Sequence, residues 1–244
     1  SLNILPVFRE REGKEHLHRN YDTFDECIDI FKKNGIVLIF TEALCENEWH
    51  LRPLKKGTAR MAAAAWQQNI PLTVLPIGLN YSSFRLFGKN VHINIGDIIS
   101  RQQISSSIDE NGKMLNELTA SIEIQLKKLV YEIESNDKQQ QAKVFKTPVS
   151  AVKRIALALP AIAGGLIHLP LCLPIQKVVE KKAGHLGHFD SIVVGALLLA
   201  YPLYILLIAS LLFITVGKWW AIASMVLLPF FAWSYIQLSR QTDQ

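Results

Sequence analysis

The chain has 244 residues, half of them hydrophobic, with 26 basic and 21 acidic side chains. That length suits one soluble domain plus a membrane region, and the apolar share and positive mean hydropathy are high for a purely soluble protein. The charge is uneven: residues 1–140 hold 17 basic and 18 acidic groups, 141–182 hold seven and one, and 183–244 hold two of each. The excess therefore lies in a short basic belt beside apolar segments, which favours the anionic face of a membrane. Nucleic acid is not expected as a partner, because the aromatic residues are not interleaved with that belt. Cys27, Cys45 and Cys172 are far apart and form neither a CxxC pair nor a metal spacing. They predict reduced thiols, no disulfide framework and no metal site.

In chain order, residues 3–8 read as a short apolar strand and 9–20 as a charged loop. Thr23 with Glu26 makes a capping box. Phe24, Cys27, Ile28 and Phe31 give the stripe of an amphipathic helix, ended by Asn34-Gly35. The continuous apolar run at 36–40 is typical of a strand buried on both faces. Residues 57–68 form a strong helix, stopped by Asn69-Ile70-Pro71. A second buried strand is expected at 72–79. An edge strand is expected at 91–95, where His92 and Asn94 alternate with apolar residues. A long amphipathic helix follows at 113–135, with Leu115, Leu118, Ile122, Leu126, Leu129 and Ile133 on one side. Strand–helix alternation predicts an α/β sandwich with a mostly parallel sheet over residues 1–135. Its first strand and helix are expected upstream of Ser1, since the chain starts without methionine and no signal peptide is visible.

Residues 136–152 read as a basic, polar linker. The membrane region is expected over 153–240. Two charge-free runs, 192–216 and 219–238, are long enough to cross a bilayer. Only Gly217-Lys218 separates them, which predicts a tight hairpin, and Trp219, Trp220, Trp233 and Tyr235 sit at its ends as interfacial residues do. Residues 155–175 differ. They hold Pro160, Gly164-Gly165, Pro170 and Pro174, with Lys153-Arg154 before them and Lys177, Lys181 and Lys182 after. Positive charge at both ends favours entry and exit on one side, so a re-entrant or interfacial hairpin is preferred to a third span. The soluble part is then expected on the cytoplasmic face.

The residues suited to chemistry lie at expected strand ends, where α/β proteins build sites. Phe40-Thr41-Glu42-Ala43 places a carboxylate after an apolar strand, Lys55-Lys56-Gly57 puts a cationic turn at a helix start, and Leu75-Pro76-Ile77-Gly78 follows the next strand. In that order, these blocks resemble the glycerolipid acyltransferase family, and the adjoining stretch Asn47 to Leu54 resembles its bacterial membrane-bound branch. The resemblance covers residues 3–100. It matches Ile4 to Arg9 to the block ending in a phosphate-gripping arginine, 40–43 to a Phe-Pro-Glu-Gly block, Lys56-Gly57 to a lysine–glycine pair, and Pro76 to the fourth block. Thr41 and Ala43 depart from that pattern. The family's first block, His-x4-Asp, is not found ahead of these, because Tyr21 and Thr23 follow His16 and His18 at the required spacing. One such string, His185 to Asp190, comes after the other blocks; Asp190 with Ser191 is expected to cap the next helix instead.

The resemblance implies a membrane-bound transferase for phospholipid biosynthesis. It would move an acyl chain from acyl-CoA or acyl carrier protein, as co-substrate, to a lysophospholipid acceptor such as lysophosphatidic acid, with no bound cofactor and no metal. Its catalytic histidine and aspartate are expected upstream of Ser1. Arg9, Lys55, Lys56 and Gly57 would bind the acceptor's phosphate, and Glu42 would position it. A catalytically inactive lysophospholipid-binding or scaffold protein is the first alternative. A small transporter-like protein with a soluble domain is the second.

Overall fold

The computed structural model describes residues 4–5, 19–43, 46–107, 111–184 and 187–239. They belong to two units, the first made of Ser1–Leu44, Trp49–Asn80 and Ile93–Glu132, the second of Cys45–Glu48, Tyr81–His92 and Ile133–Gln244. The expected strand at 3–8 lies almost wholly outside the described residues.

In the first unit, α1 (Arg19–Lys32) buries Cys27, Ile28 and Phe31, the expected stripe. It begins four residues before Thr23, which is buried within it, so the expected capping box is not the start of the helix. The stop is as expected. Asn34 takes a left-handed φ of 56°, Gly35 N–H donates to Ile30 O at 2.8 Å, and Asn34 N–H donates to Phe31 O at 3.0 Å. That pair of bonds is a Schellman motif. Helix α2 (Gly57–Gln67) ends the same way: Asn69 has φ 58°, and Ile70 N–H reaches Ala65 O at 3.0 Å. The alanines of α2 let two clusters approach it. Ala59, Ala62, Ala63 and Trp66 pack with Ile99, Ile104, Met114, Leu118, Ile122 and Leu126, while Met61 and Ala65 pack with the α1 stripe.

The sheets differ from expectation. Strand β1 (Thr73–Val74) pairs antiparallel with β4 (Ile99–Ser100), and β2 (Ile77–Tyr81) pairs with β3 (Val91–Ile95). No parallel sheet occurs among the described residues. The apolar run 36–40 forms no strand; Ile36 is 94% and Phe40 69% exposed, and only Val37 joins a cluster. Continuous apolarity signals a strand only where neighbours cover both faces, and no described strand lies beside this run.

Helix α3 (Asn111–Leu129) buries Met114, Leu118, Ile122 and Leu126 but stops short of the expected 135. Its end has a cause in β2 and β3. Asn80 Nδ2 and Asn94 Nδ2 donate to Leu129 O at 2.9 and 2.7 Å, and Tyr131 N–H donates to Asn80 Oδ1 at 2.7 Å. The asparagines take the carbonyl that a further turn would use. They also turn the polar side of β3 inward, leaving Ile93 and Ile95 exposed at 60% and 65%. The alternation at 91–95 is thus read correctly, with its faces reversed.

The second unit holds the long helices. Helix α4 (Lys138–Phe145) lies in the expected linker; Asp137 caps it by accepting Gln140 N–H at 2.9 Å, and Gln141 and Phe145 are buried. Helices α5 (Ala151–Ala183), α6 (Phe189–Thr215) and α7 (Lys218–Leu238) are each long and apolar enough to cross a membrane. They make this a membrane-embedded protein. Helix α6 turns directly into α7 through Gly217, whose φ is 121°. Gly164 of α5 meets α7 so closely that a Cβ there would lie 2.1 Å from Phe231 O. Helix α5 is also pinned to α6: His168 Nδ1–H donates to Gly164 O at 2.7 Å, its Nε2 lies 3.2 Å from the Tyr201 hydroxyl, and Tyr204 O–H donates to Ile167 O.

Helix α5 runs unbroken through 155–175, so the hairpin turn expected there is absent, and its two ends meet the end of α7 and the start of α6. Near its start, Lys153 Nζ donates to Gln237 Oε1 at 2.5 Å; near its end, Val179 and Ala183 pack with Phe189 and Val193. Its middle lies deeper, since Tyr201 is twelve residues, or about 18 Å, along α6 from Phe189. The 81–92 segment of this unit fastens to the end of α5 and the start of α6. Arg85 pairs with Glu180 and stacks on the Phe189 ring at 4.5 Å, and Lys89 pairs with Asp190. Asp190 therefore serves an ion pair, while His188 stands at the N-cap of α6 with no side-chain cap.

Candidate functional site

The candidate site is built on the loop between residue 40 and α2. A turn forms first: Ala43 N–H donates to Phe40 O at 3.2 Å, carrying Glu42 at its bend. The loop then returns on itself. Arg52 N–H donates to Glu42 Oε1 at 2.7 Å, and Lys55 N–H donates to Thr41 O at 2.9 Å. These bonds bring the Thr41–Glu42 turn beside Lys55, Lys56 and the start of α2, which sequence reading expected to work together.

The start of α2 is electropositive. Lys56 occupies the N-cap with no side-chain cap, and Arg60 N–H closes the first helical turn on Lys56 O at 2.9 Å. First-turn N–H groups without intrahelical partners and a helix dipole favour an anion there, and Lys55 and Lys56, both exposed, add two charges. Gly57 leaves the approach open, since a Cβ there would meet nothing within 4 Å. Just inside, Thr58 Oγ1 is buried with no hydrogen-bond partner.

Ala43, at the end of the Thr41–Glu42 turn, holds a backbone conformation that suits glycine better. Its φ is 57°, in the left-handed region that a Cβ disfavours. Pro76 has a different setting. It is buried between β1 and β2, and its carbonyl accepts Gly96 N–H at 2.9 Å, so it ends one strand and starts the next. Gly78, two residues on, lets β2 touch α3; a Cβ there would lie 2.6 Å from Leu129 O. Arg9 lies outside the described residues, as do Cys45 and His185.

Sequence reasoning missed Glu132. Its Oε2 lies 2.8 Å from His50 Nδ1, and its Oε1 accepts Leu51 N–H at 3.1 Å. Glu42 and Glu132 thus hold consecutive parts of the 50–52 segment. The carboxylate fixes the proton of His50 on Nδ1. Nothing in a single sequence links positions 50 and 132; only the end of α3 brings them together.

No metal-binding group of three or more His, Cys, Asp or Glu occurs among the described residues. Comparison with protein-family models, with curated proteins and with solved structures finds no match to this chain.

Proposed function

We propose that this protein is a membrane-bound acyltransferase that moves an acyl chain from acyl-CoA or acyl carrier protein to a glycerol-phosphate-type acceptor such as lysophosphatidic acid. The acceptor hydroxyl attacks the thioester carbonyl, the ester forms, and the thiolate leaves and takes up a proton. A histidine oriented by an aspartate, as the resembled family implies, removes the hydroxyl proton. Lys55, Lys56 and the α2 N-terminus hold the acceptor's phosphate together with Arg9, and Glu42 orients the loop that carries them. The observation that supports this most is the closure of the 41–56 loop by Glu42 and Thr41, which sets a carboxylate turn against an open, doubly cationic helix start.

The membrane helices anchor the protein in the bilayer, where acyl chains are present. The contacts of the α5 start with the end of α7 and of the α5 end with the start of α6 support a re-entrant course, with the soluble part, residues 177–190 and the end of α7 on the cytoplasmic face.

The test uses the protein isolated from its native membrane, with lysophosphatidic acid and each donor. Phosphatidic acid is the expected product. Lys56→Ala should raise the acceptor KM about tenfold or more, the loss of one charge-assisted contact worth about 1.5–3 kcal/mol. Absence of ester product with both donors, from protein with no His-x4-Asp in its N-terminal sequence, overturns the proposal.

A further inference from the structure

We propose that the groove between α5 and α7 seats one anionic phospholipid, with an acyl chain along the groove and its phosphate at Lys153 and Arg154. This goes beyond acyl transfer, since the lipid here is a bound component and not a reactant.

The groove has a volume of about 520 Å³ and is almost wholly apolar. Ala158, Ile162, Leu166 and Leu169 of α5 form one wall, and Tyr235 and Leu238 of α7 the other. Gly165 lets the Tyr235 ring close one side of the groove, since a Cβ there would lie 3.0 Å from that ring. From Ala158 to Leu169 it runs eleven residues, or about 16 Å, along α5. On the α7 side it is bounded by the last turn alone, Tyr235 to Ser239, so it opens where that helix ends.

The end near residue 158 is cationic. Lys153 and Arg154 stand one turn before Ala158, and the Lys153–Gln237 bond ties that cation to the last turn of α7. The N-terminus of α5, a 33-residue helix, points its positive end the same way. No acidic side chain occurs between Asp137 and Glu180, nor anywhere in α7. An apolar groove beside two cations fits a phospholipid of net negative charge better than a zwitterionic one or an uncharged acyl chain.

The experiment places the full protein in phosphatidylcholine nanodiscs, with no acyl donor, and adds phosphatidic acid carrying a photoreactive group midway along one chain. Adducts are mapped by mass spectrometry. We expect them on Ile162, Leu166 and Leu238, displaced by unlabelled phosphatidic acid but not by phosphatidylcholine or inorganic phosphate. Lys153→Glu with Arg154→Glu should cut this labelling about tenfold or more. Leu166→Trp should remove it while labelling at Leu198 and Leu199, exposed on α6, persists. Equal labelling by a photoreactive phosphatidylcholine, or labelling no stronger in the groove than at Leu198 and Leu199, overturns the proposal. Displacement by inorganic phosphate overturns the lipid and leaves only a phosphate contact. Because no donor is present, the result is independent of acyl transfer. An inactive protein that labels this way keeps the lipid site, and an active one that does not loses it.

Discussion

Two single residues carry strain or charge that can be measured. Ala43 holds a left-handed φ of 57°, a conformation that costs a residue with a Cβ about 1–2 kcal/mol. Ala43→Gly is therefore expected to stabilise the folded protein by up to about 1 kcal/mol, offset by glycine's greater freedom when unfolded, and to raise the midpoint of thermal unfolding. A lower midpoint would show that the Cβ makes contacts worth more than the strain. Glu117 tests the acid side. It accepts Ser105 N–H at 2.7 Å and Ser106 N–H at 2.9 Å, and these bonds, led by the one from Ser105, pull its carboxyl down to about 2. A carboxyl lowered on folding stabilises fully above its ordinary range near about 4.3. That contribution fades as pH falls from there through about 2. Glu117→Gln should lower the unfolding midpoint at neutral pH and converge with the parent protein near the acid limit. Parallel curves across this window would remove Glu117 as the cause.

Among the elements, those whose signals are local were legible and those set by distant partners were not. The stripe of α1, the alanine helix α2, the asparagine stops at 34 and 69, and the α6–α7 hairpin follow from residues within one or two turns. The end of α3 does not, because Asn80 and Asn94 decide it from positions 49 and 35 residues away. Nor does the fate of 36–40, since an apolar run states a wish for burial and not its partner. In the candidate site, Glu42 and the Lys55–Lys56 turn could be read from order alone, whereas Glu132 could not. The β2–α3 contact gives a prediction at this scale. Gly78→Ala pushes a methyl into Leu129, whose O and Cβ lie 2.6 and 2.7 Å from the new atom, so a loss of about 1–3 kcal/mol is expected by denaturant titration. An unchanged midpoint would mean that β2 can shift away from the helix. For α5, a single cysteine at Lys181 in a background without the three native ones should react with an impermeant reagent only from the cytoplasmic side. Reaction from the outer side would make α5 a full span.

For the whole molecule, sequence and structure agree best on what the membrane requires. The excess of positive charge falls around α5, and the helices that follow carry little charge of either sign. That contrast can be read from composition, because hydrocarbon excludes charge whatever the fold around it. The packing of the soluble part is less legible, since water tolerates many arrangements of the same strands and helices. The short α6–α7 connection has a consequence for biogenesis. Only Val216 and Gly217 link the two helices, and Gly217 holds a φ of 121° that permits the reversal. A ribosome feeding this segment to an insertion machine presents two apolar helices with no hydrophilic loop between them, so neither has a translocation intermediate of its own to wait in. The pair then enters the bilayer as one body, and of all the side chains between Asp190 and Arg240 only that of Lys218 carries a full charge to the far side.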